Sequence, residues 1–142
     1  MKFLLDTCVL SELVKPLPEP KVLAWINARK ETELHVSAMT LAELQRGVAR
    51  LPASRRKSEL ADWLDKLRIG FAGRVFSFTP ETAAYWGEMC ARVEAGGRTM
   101  AAFDSLIAAT AIEHGLVMVT RNERDFVMAP IVIFNPWNDG DR

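Results

Sequence analysis

The sequence predicts an α/β fold in which helices cover both faces of a central, mainly parallel sheet of about five strands. Short apolar runs suited to buried strands alternate with segments of helical periodicity along nearly the whole chain. The chain has 142 residues, of which 49% are hydrophobic, and this is ample for one core. We find no repeat, low-complexity segment or linker. A single three-layer α/β/α domain is therefore expected over residues 1–142.

The chain opens with a predicted strand at residues 2–5, an apolar run that ends at Asp6. A short helix is expected at residues 9–14. Three prolines between positions 16 and 20 predict a loop, and apolar residues at helical spacing predict a second helix over residues 22–29. Asp6 has two interpretations, because it follows a strand and precedes a helix. It is either the N-cap of the first helix or a site residue at the carboxyl end of a strand.

A second strand is predicted at residues 34–37. The sequence TLAE at residues 40–43 matches a capping box, so a helix is expected from there to about residue 51. On this evidence alone, the favoured role of Glu43 is to cap that helix. Residues 54–69 carry the clearest helical period of the chain, with an apolar stripe formed by Leu60, Trp63, Leu64 and Leu67.

The next strand is expected at residues 75–78. Thr79 followed by Pro80 predicts the start of a helix, because a capping side chain is followed by proline at the first helical position. The pair Gly96-Gly97 predicts the end of that helix. The alternation of strands and helices therefore continues into the second half of the chain.

A helix with a single charge is predicted over residues 99–112, with Thr99 as its N-cap. The charge is Asp104, and the other side chains are largely apolar, so the helix is expected to be buried. A buried carboxylate is costly unless it is paired, hydrogen-bonded or bound to a metal. Gly115 is expected to end the helix. Asp104 therefore requires partners from elsewhere in the chain.

The chain closes with two further predicted strands, at residues 116–119 and 131–134. A charged loop that contains Asp125 is expected between them. After the last strand, the sequence Asn135-Pro136-Trp137 is expected to complete the fold.

Four acids are expected at one edge of this sheet. Asp6 and Asp125 follow strands, while Glu43 and Asp104 lie early in helices. In a parallel sheet, the carboxyl ends of the strands and the N-termini of the following helices open on the same edge. Four carboxylates at this edge would repel one another, so some must be protonated, paired with cations or bound to a metal.

The donor types predict a hard cation, Mg²⁺ or Mn²⁺ with retained water, because carboxylate oxygen is the main ligand on offer. Structural roles are expected for His35 and His114, zinc is disfavoured, and no EF-hand loop supports calcium. A divalent ion held by carboxylates suits phosphoryl chemistry. Thr7 or Thr120 would hold a water or a carboxylate, and Arg121 would contact phosphate. No Walker loop, GxGxxG or GxSxG motif occurs, so a nuclease is the leading prediction.

Net charge says little about partners, because 18 Lys and Arg balance 18 Asp and Glu. Basic residues gather between positions 46 and 57 and around the Asp104 segment, forming either a solvated surface or a nucleic-acid surface. Cys8 and Cys90 form no CxxC motif and are expected to be reduced, buried thiols. No apolar run approaches the ~20 residues needed to cross a bilayer, and no signal peptide is recognisable. We therefore expect a cytoplasmic protein without a membrane segment.

These motifs together resemble a known family, the PIN-domain ribonucleases, and within it the VapC-type toxins of bacterial toxin–antitoxin pairs. The segments LLDTCVLSEL, VSAMTLAELQRGV and FDSLIAATAIEHGLVMVTRN resemble the three segments that carry the family's acids. The segments FAGRVFSF and IVIFNPWND are similar to those of the FitB-like subgroup. The resemblance covers almost the whole chain, and the order and spacing of the motifs make it specific.

The resemblance implies that Asp6, Glu43 and Asp104 are metal-holding acids. The fourth acid is assigned to Asp125, with Asn122 as a neutral alternative at the turn after the strand. Cys8 departs from the family, in which Asn or Ser is common, and this puts a side-chain hydrogen bond near Asp6 in question. The remaining expected site residues are Thr7, Thr120 and Asn122 in supporting roles, and Arg46, Arg98 and Arg121 as contacts with RNA.

The activity implied by the resemblance is Mg²⁺- or Mn²⁺-dependent endonucleolytic cleavage of RNA by metal-activated water. It also implies a homodimer and inhibition by a small VapB- or FitA-like antitoxin. DNA would be contacted only indirectly, through that antitoxin. The early helices and the helix at residues 40–51 are expected to form an apolar groove for that antitoxin.

Two other interpretations of the sequence remain open. The first is a PIN-like module with little or no activity that acts through antitoxin or nucleic-acid binding. The second is a haloacid-dehalogenase-like phosphatase or a receiver domain. It is disfavoured because Cys8 stands where such a phosphatase has its second Asp, and because Asp6 has no paired acid near the first strand, as a receiver requires.

Overall fold

Five strands form one central sheet in the computed structural model, which describes residues 1–138. The strands are β1 (Phe3–Leu5), β2 (Leu34–Ser37), β3 (Val75–Phe76), β4 (Val117–Val119) and β5 (Ile133–Phe134). Their order across the sheet is β3-β2-β1-β4-β5, and all four neighbouring pairs are parallel. The predicted mainly parallel sheet of about five strands is confirmed. Residues 139–142 of the predicted domain lie outside the described residues.

Within residues 1–138, seven α-helices surround this sheet. They are α1 (Thr7–Leu13), α2 (Pro20–Asn27), α3 (Ala38–Ala49), α4 (Arg55–Gly70), α5 (Pro80–Ala95), α6 (Ala102–His114) and α7 (Glu123–Phe126). Apolar side chains of α1 to α4 form a core on one face of the sheet, and those of α5, α6 and α7 form a core on the other. Side chains alternate along a strand, so Phe3 and Leu5 join the first core and Leu4 joins the second. The predicted three-layer α/β/α architecture is confirmed.

The helix α6 is buried as its composition predicts. Ile107 and the four residues after it are almost inaccessible to solvent. Gly115 ends it with φ of 63°, a left-handed conformation that glycine adopts without strain. Helices between parallel strands run opposite to those strands, so the first turn of α6 lies at the edge where the strands end. Asp104 belongs to that first turn.

Two helix starts differ from prediction. The N-cap of α3 is Ser37, whose hydroxyl accepts a hydrogen bond of 3.0 Å from the backbone N–H of Met39. The predicted capping box at residues 40–43 is therefore wrong, because a capping hydroxyl at the end of β2 is reached first. The helix α6 begins at Ala102, so the prediction of Thr99 as its N-cap is also wrong.

Helical structure also occurs where loops were predicted. Pro20 is the first residue of α2, a position that suits proline because the N–H it lacks would have no helical partner. The charged segment after β4 folds into the single-turn helix α7, which carries Asp125. No helix in the described part of the chain has the length and apolarity needed to cross a membrane.

Candidate functional site

Asp6 lies directly after β1 and is 4% exposed. Its Oδ1 accepts a hydrogen bond of 2.8 Å from the backbone N–H of Thr7 and thereby caps α1. Its Oδ2 accepts a hydrogen bond of 2.8 Å from the Thr120 hydroxyl. Burial raises the pKa of Asp6, although these hydrogen bonds act in the opposite direction. Capping and a place in the site are therefore compatible for this residue.

Glu43 lies in the second turn of α3, and its Oε1 accepts a hydrogen bond of 2.6 Å from the Thr7 hydroxyl. Because Ser37 caps α3, the capping interpretation of Glu43 is wrong. Thr7 consequently binds two acids, Asp6 through its backbone N–H and Glu43 through its hydroxyl. This threonine thus links α3 to the end of β1.

Asp104 is half-buried in the first turn of α6. Burial raises the pKa of Asp104 to about 6, with further contributions from the negative charges of Asp125, Asp6 and Glu43. The three carboxylates that act on Asp104 are the three other predicted acids, so the fold brings all four into one electrostatic neighbourhood. Among residues 1–138, none of the four forms an ion pair with a basic side chain. Their mutual repulsion is therefore not relieved by a protein cation.

Two residues of the segment after β4 are candidates for the fourth position of the predicted metal site. Asp125 is exposed on α7, and its charge raises the pKa of both Asp6 and Asp104. Asn122 directly precedes α7, and its backbone N–H donates a hydrogen bond of 3.0 Å to the Thr120 hydroxyl. The Asn122 side chain makes no capping hydrogen bond to α7. The electrostatics of the site therefore favour Asp125.

The Cys8 thiol belongs to the same hydrogen-bonded cluster. Its Sγ lies 3.6 Å from Oδ2 of Asp6 and 3.5 Å from Oγ1 of Thr120. It also accepts a hydrogen bond of 3.5 Å from the backbone N–H of Arg121. Cys8 thus supplies the side-chain contact with Asp6 that the departure from Asn or Ser had put in question. Burial, followed by the negative charge of Asp6, raises the pKa of the Cys8 thiol.

Cys8 should react slowly with alkylating reagents, because the thiolate is the nucleophile and burial keeps the thiol protonated. We expect iodoacetamide at pH 7.5 to modify Cys8 at least about tenfold more slowly in the folded chain than in urea, as measured by peptide mass spectrometry. Cys90 is an internal comparison, since burial raises its pKa as well. Equal rates in the folded and unfolded chain would contradict the assigned environment.

Comparison with known proteins places this chain in a family. A family model described as PIN domain matches residues 3–130. The chain belongs to the PIN-domain family. It is 38% identical to Toxin FitB from Neisseria gonorrhoeae, over 96% of the chain and 99% of that protein. It is also 38% identical to the VapC ribonuclease Y4jK from Sinorhizobium fredii, over 94% of the chain and 96% of that protein.

A solved structure, FitAB bound to an IR36 DNA fragment, superimposes on this PIN domain with a TM-score of 0.90. The two chains are 35% identical, and the match covers 96% of each. The resemblance predicted from the sequence, to PIN-domain proteins of the VapC type and the FitB-like subgroup, is confirmed.

The three arginines predicted to contact RNA are all exposed on the PIN domain. The Arg46 guanidinium lies 5.9 Å from the ring centroid of Phe103, and that of Arg121 lies 5.5 Å from the ring centroid of Trp137. Arg98 lies between α5 and α6. Phe103 is not among the residues predicted for the site, although its position next to Asp104 was the available signal. For Trp137, nothing in the sequence beyond its place in the closing segment indicated a contact with Arg121.

The predicted ligands of the PIN domain are oxygen donors. Within residues 1–138, no three His, Cys, Asp or Glu side chains stand close enough to contact one metal ion together. The two histidines stack on Phe76, His35 at 5.2 Å and His114 at 4.1 Å between ring centroids. His114 lies at the opposite end of α6 from Asp104. Both histidines therefore pack as structural residues, as expected from the sequence.

A groove of about 410 Å³ opens between α1, α2 and α4 of the PIN domain. Its apolar lining includes Leu13, Ile26, Leu67 and Phe71, and charged residues such as Lys66 lie along it. The helix at residues 40–51 was expected to form one wall of the groove for the antitoxin. In this groove α4 lies together with the early helices, and a wall formed by the helix at residues 40–51 stays a prediction.

Proposed function

We propose that this PIN domain is a metal-dependent endoribonuclease and acts as the toxin of a toxin–antitoxin pair. The observation that carries the proposal is Asp104, whose pKa is raised to about 6 by burial and by the charges of the three other predicted acids. A bound divalent ion would relieve this repulsion. Similarity to Toxin FitB and to a VapC ribonuclease supports RNA as the substrate and toxicity as the role.

Mg²⁺ or Mn²⁺ is the proposed cofactor, and Asp6, Glu43, Asp104 and Asp125 are the acids proposed to hold it, one or two of them directly and the others through retained water. Carboxylate oxygens suit these hard ions. Mg²⁺ commonly uses only one or two carboxylates and completes its coordination with water and substrate phosphate. The absence of three donors in mutual contact range within residues 1–138 is compatible with that mode. When bound, such an ion lowers the pKa of water and stabilises negative charge on the leaving oxygen.

Neighbouring residues position the carboxylates of the proposed site. Thr120 and Cys8 hold Oδ2 of Asp6, and Thr7 holds Oδ1 through its backbone N–H. The Thr7 hydroxyl bonds Oε1 of Glu43, and no other side chain of residues 1–138 bonds Oε2, which leaves that oxygen for water or an ion. These contacts orient the acids before substrate binds, which is how a site of this kind reduces the cost of reaching the transition state.

Asp125 is proposed to fill the fourth place, and paired substitutions distinguish it from Asn122. We expect Asp125→Asn to weaken Mn²⁺ binding by about tenfold or more and to slow RNA cleavage by about a hundredfold, because a neutral amide is a poor ligand for a hard ion. Asn122→Ala should stay within about threefold of wild type, since only the Asn122 backbone holds Thr120. Calorimetry and single-turnover cleavage provide the two measurements. A larger effect at Asn122 would reverse the assignment.

The proposed function is tested most directly in cells. RNA 5′ ends are mapped after brief induction of the wild-type chain and of the Asp104→Asn variant in the same strain. New ends that appear only with the wild type identify the chain as a ribonuclease and also give its cleavage motif. Identical maps, with both proteins present at equal levels, would reject the proposal.

A second candidate is a PIN-like module with little activity that acts through antitoxin or nucleic-acid binding. It is favoured by Asn122 at the turn after β4 and by the spacing of the acids, no three of which stand within reach of one ion in the described chain. Calorimetry separates the candidates. Absence of Mn²⁺ binding to the wild-type chain at pH 7.5 would favour the module over the enzyme.

A small antitoxin of the VapB or FitA type is proposed as the partner of this chain, with DNA contacted through it. The similarity to FitAB, whose solved structure contains DNA, supports this assignment. The apolar groove between α1, α2 and α4 is the proposed docking surface, because apolar side chains line a concave surface there. The predicted homodimer, single-domain organisation and cytoplasmic location remain predictions.

A further inference from the structure

An arginine and a phenylalanine meet beside the predicted acids. Arg46 lies one helical turn after Glu43 on α3, and Phe103 directly precedes Asp104 on α6. The Arg46 Cζ atom is 5.9 Å from the centroid of the Phe103 ring, within the range of a cation–π contact. Because α3 and α6 pack together, this pair bridges the helices that carry the second and third acids.

Core packing does not explain Phe103. The buried residues of α6 begin at Ser105, and neither hydrophobic core of the described chain includes the Phe103 ring. The ring is partly exposed, on the residue that directly precedes Asp104. An aromatic side chain in this position offers an apolar surface to a ligand instead of to the interior.

Arg46 is engaged only weakly, through its contact with the Phe103 ring. Its side chain is exposed, and across residues 1–138 it takes part in no ion pair and no side-chain hydrogen bond. Arg74 provides the contrast, since its guanidinium donates to three backbone carbonyls and to Glu31. The charge of Arg46 is therefore available to an anion that arrives at the acidic edge, and the planar guanidinium suits phosphate.

A flat apolar surface beside a free guanidinium matches one nucleotide of a single strand. Unpaired bases stack on aromatic side chains, and arginine contacts the adjoining backbone. A base that is held in a duplex cannot present its face to a ring in this way. The pair is therefore suited to an unpaired nucleotide next to the bond that is cut.

We propose that Arg46 and Phe103 form a nucleotide subsite, in which Phe103 stacks one unpaired base adjacent to the scissile phosphate and Arg46 contacts the neighbouring phosphate. This subsite rests on the proposed ribonuclease function. It gives the chain a requirement for unpaired RNA at one defined position, and it assigns substrate selection to residues other than the acids.

The test uses a short RNA that wild type cleaves with Mn²⁺, together with copies that carry a single abasic nucleotide on either side of the cut. Phe103→Leu should raise KM about tenfold while leaving kcat within about twofold, because stacking is lost and the acids are untouched. Phe103→Tyr, which keeps the ring, should behave as wild type. One abasic position should lower kcat/KM of the wild type about tenfold. The same abasic RNA should lower kcat/KM of Phe103→Leu no further.

Arg46→Gln should also raise KM, and it should reduce the slope of log KM against log salt by about one ion, the signature of a lost phosphate contact. Arg68→Gln, an exposed arginine of α4, is the matched control and should leave the slope unchanged. Thermal melting of each variant establishes that it is folded.

Unchanged KM in Phe103→Leu, or an abasic penalty that is equal in Phe103→Leu and wild type, would overturn the subsite. Failure of the wild type to cut any RNA would instead reject the proposed function. In that case, fluorescence anisotropy with a labelled single-stranded RNA in EDTA still decides the subsite. Phe103→Leu must then bind about tenfold more weakly than Phe103→Tyr, and equal binding would overturn it.

Discussion

Asp104→Asn is expected to abolish metal-dependent RNA cleavage, with a loss of about a thousandfold or more in the single-turnover rate. Asp104 lies where the charges of the other three acids converge. An amide there removes a negative oxygen donor from the proposed ion without changing the size of the side chain. Cleavage of a labelled RNA by the purified proteins, with Mn²⁺ and with EDTA, measures the effect.

Asp65→Asn, on the exposed face of α4, is the matched control and should cleave as wild type does. Asp6→Asn is expected to give a loss comparable to that of Asp104→Asn. Undiminished cleavage by either Asp6→Asn or Asp104→Asn would sink the assignment of the acids.

The same Asp104→Asn substitution is expected to leave the metal-free fold unchanged or more stable. The pKa of Asp104 is about 6 in the folded chain, above its ordinary value of 3.8, so ionisation opposes folding. This cost is absent below pH 3.8, grows as the pH rises, and is complete above pH 6. Because the carboxylate is only half-buried, solvent screening reduces the expected gain at pH 7.5 to about 1 kcal/mol.

Urea denaturation in EDTA measures this gain as the difference in unfolding free energy between Asp104→Asn and wild type. The difference should shrink between pH 7.5 and pH 5 as protons bind Asp104 in the folded wild type. A large loss of stability in Asp104→Asn at pH 7.5 would contradict the clustering of the acids.

Thr120→Val is expected to have the second-largest effect, a destabilisation of about 2 kcal/mol at neutral pH. Thr120 is fully buried, and its hydroxyl donates to Oδ2 of Asp6 and accepts from the backbone N–H of Asn122. Valine has nearly the same shape, so the loss reports these two hydrogen bonds together with the 3.5 Å contact between the hydroxyl and Cys8 Sγ. Asp6 would also lose its strongest side-chain donor, and RNA cleavage should fall at least about tenfold.

Thr110→Val is a close control for this experiment. Thr110 is 1% exposed on α6, and its hydroxyl has no hydrogen-bond partner within the described chain. Removing an unpaired buried hydroxyl should be neutral or stabilising. Urea midpoints for the two variants give the comparison, and equal shifts would show that the Thr120 hydroxyl contributes nothing specific.

Local sequence signals predicted most elements of the fold because each depends on near neighbours in the chain. Thr79 with Pro80 starts α5, and Gly115 ends α6 in the left-handed conformation, as predicted. The strand at Leu34–Ser37 was predicted with its observed bounds. The errors arose where two local signals competed, as at the start of α3, where Ser37 caps the helix and Thr40 lies within it. Sequence alone does not rank two capping side chains three residues apart.

In the candidate site as well, some features were predictable from the sequence and others were not. Parallel topology was enough to predict that Asp6, Glu43, Asp104 and Asp125 open on one edge. The partners of those acids were not predictable, because they lie far away in the chain. Thr7 reaches Glu43 across 36 positions, and Thr120 reaches Asp6 across 114.

By itself, the sequence determined the α/β alternation, the burial of α6 and the gathering of the four predicted acids at one edge, since each follows from the order of residue types along the chain. Tertiary structure decided that Leu5 pairs with Val119, which sets Asp6 beside Thr120 at the ends of adjacent strands. It also decided that Glu43 binds Thr7 instead of capping its helix, and that Arg46 meets Phe103. The physical reason is that these contacts depend on strand register and helix packing, which are fixed only when the whole core assembles.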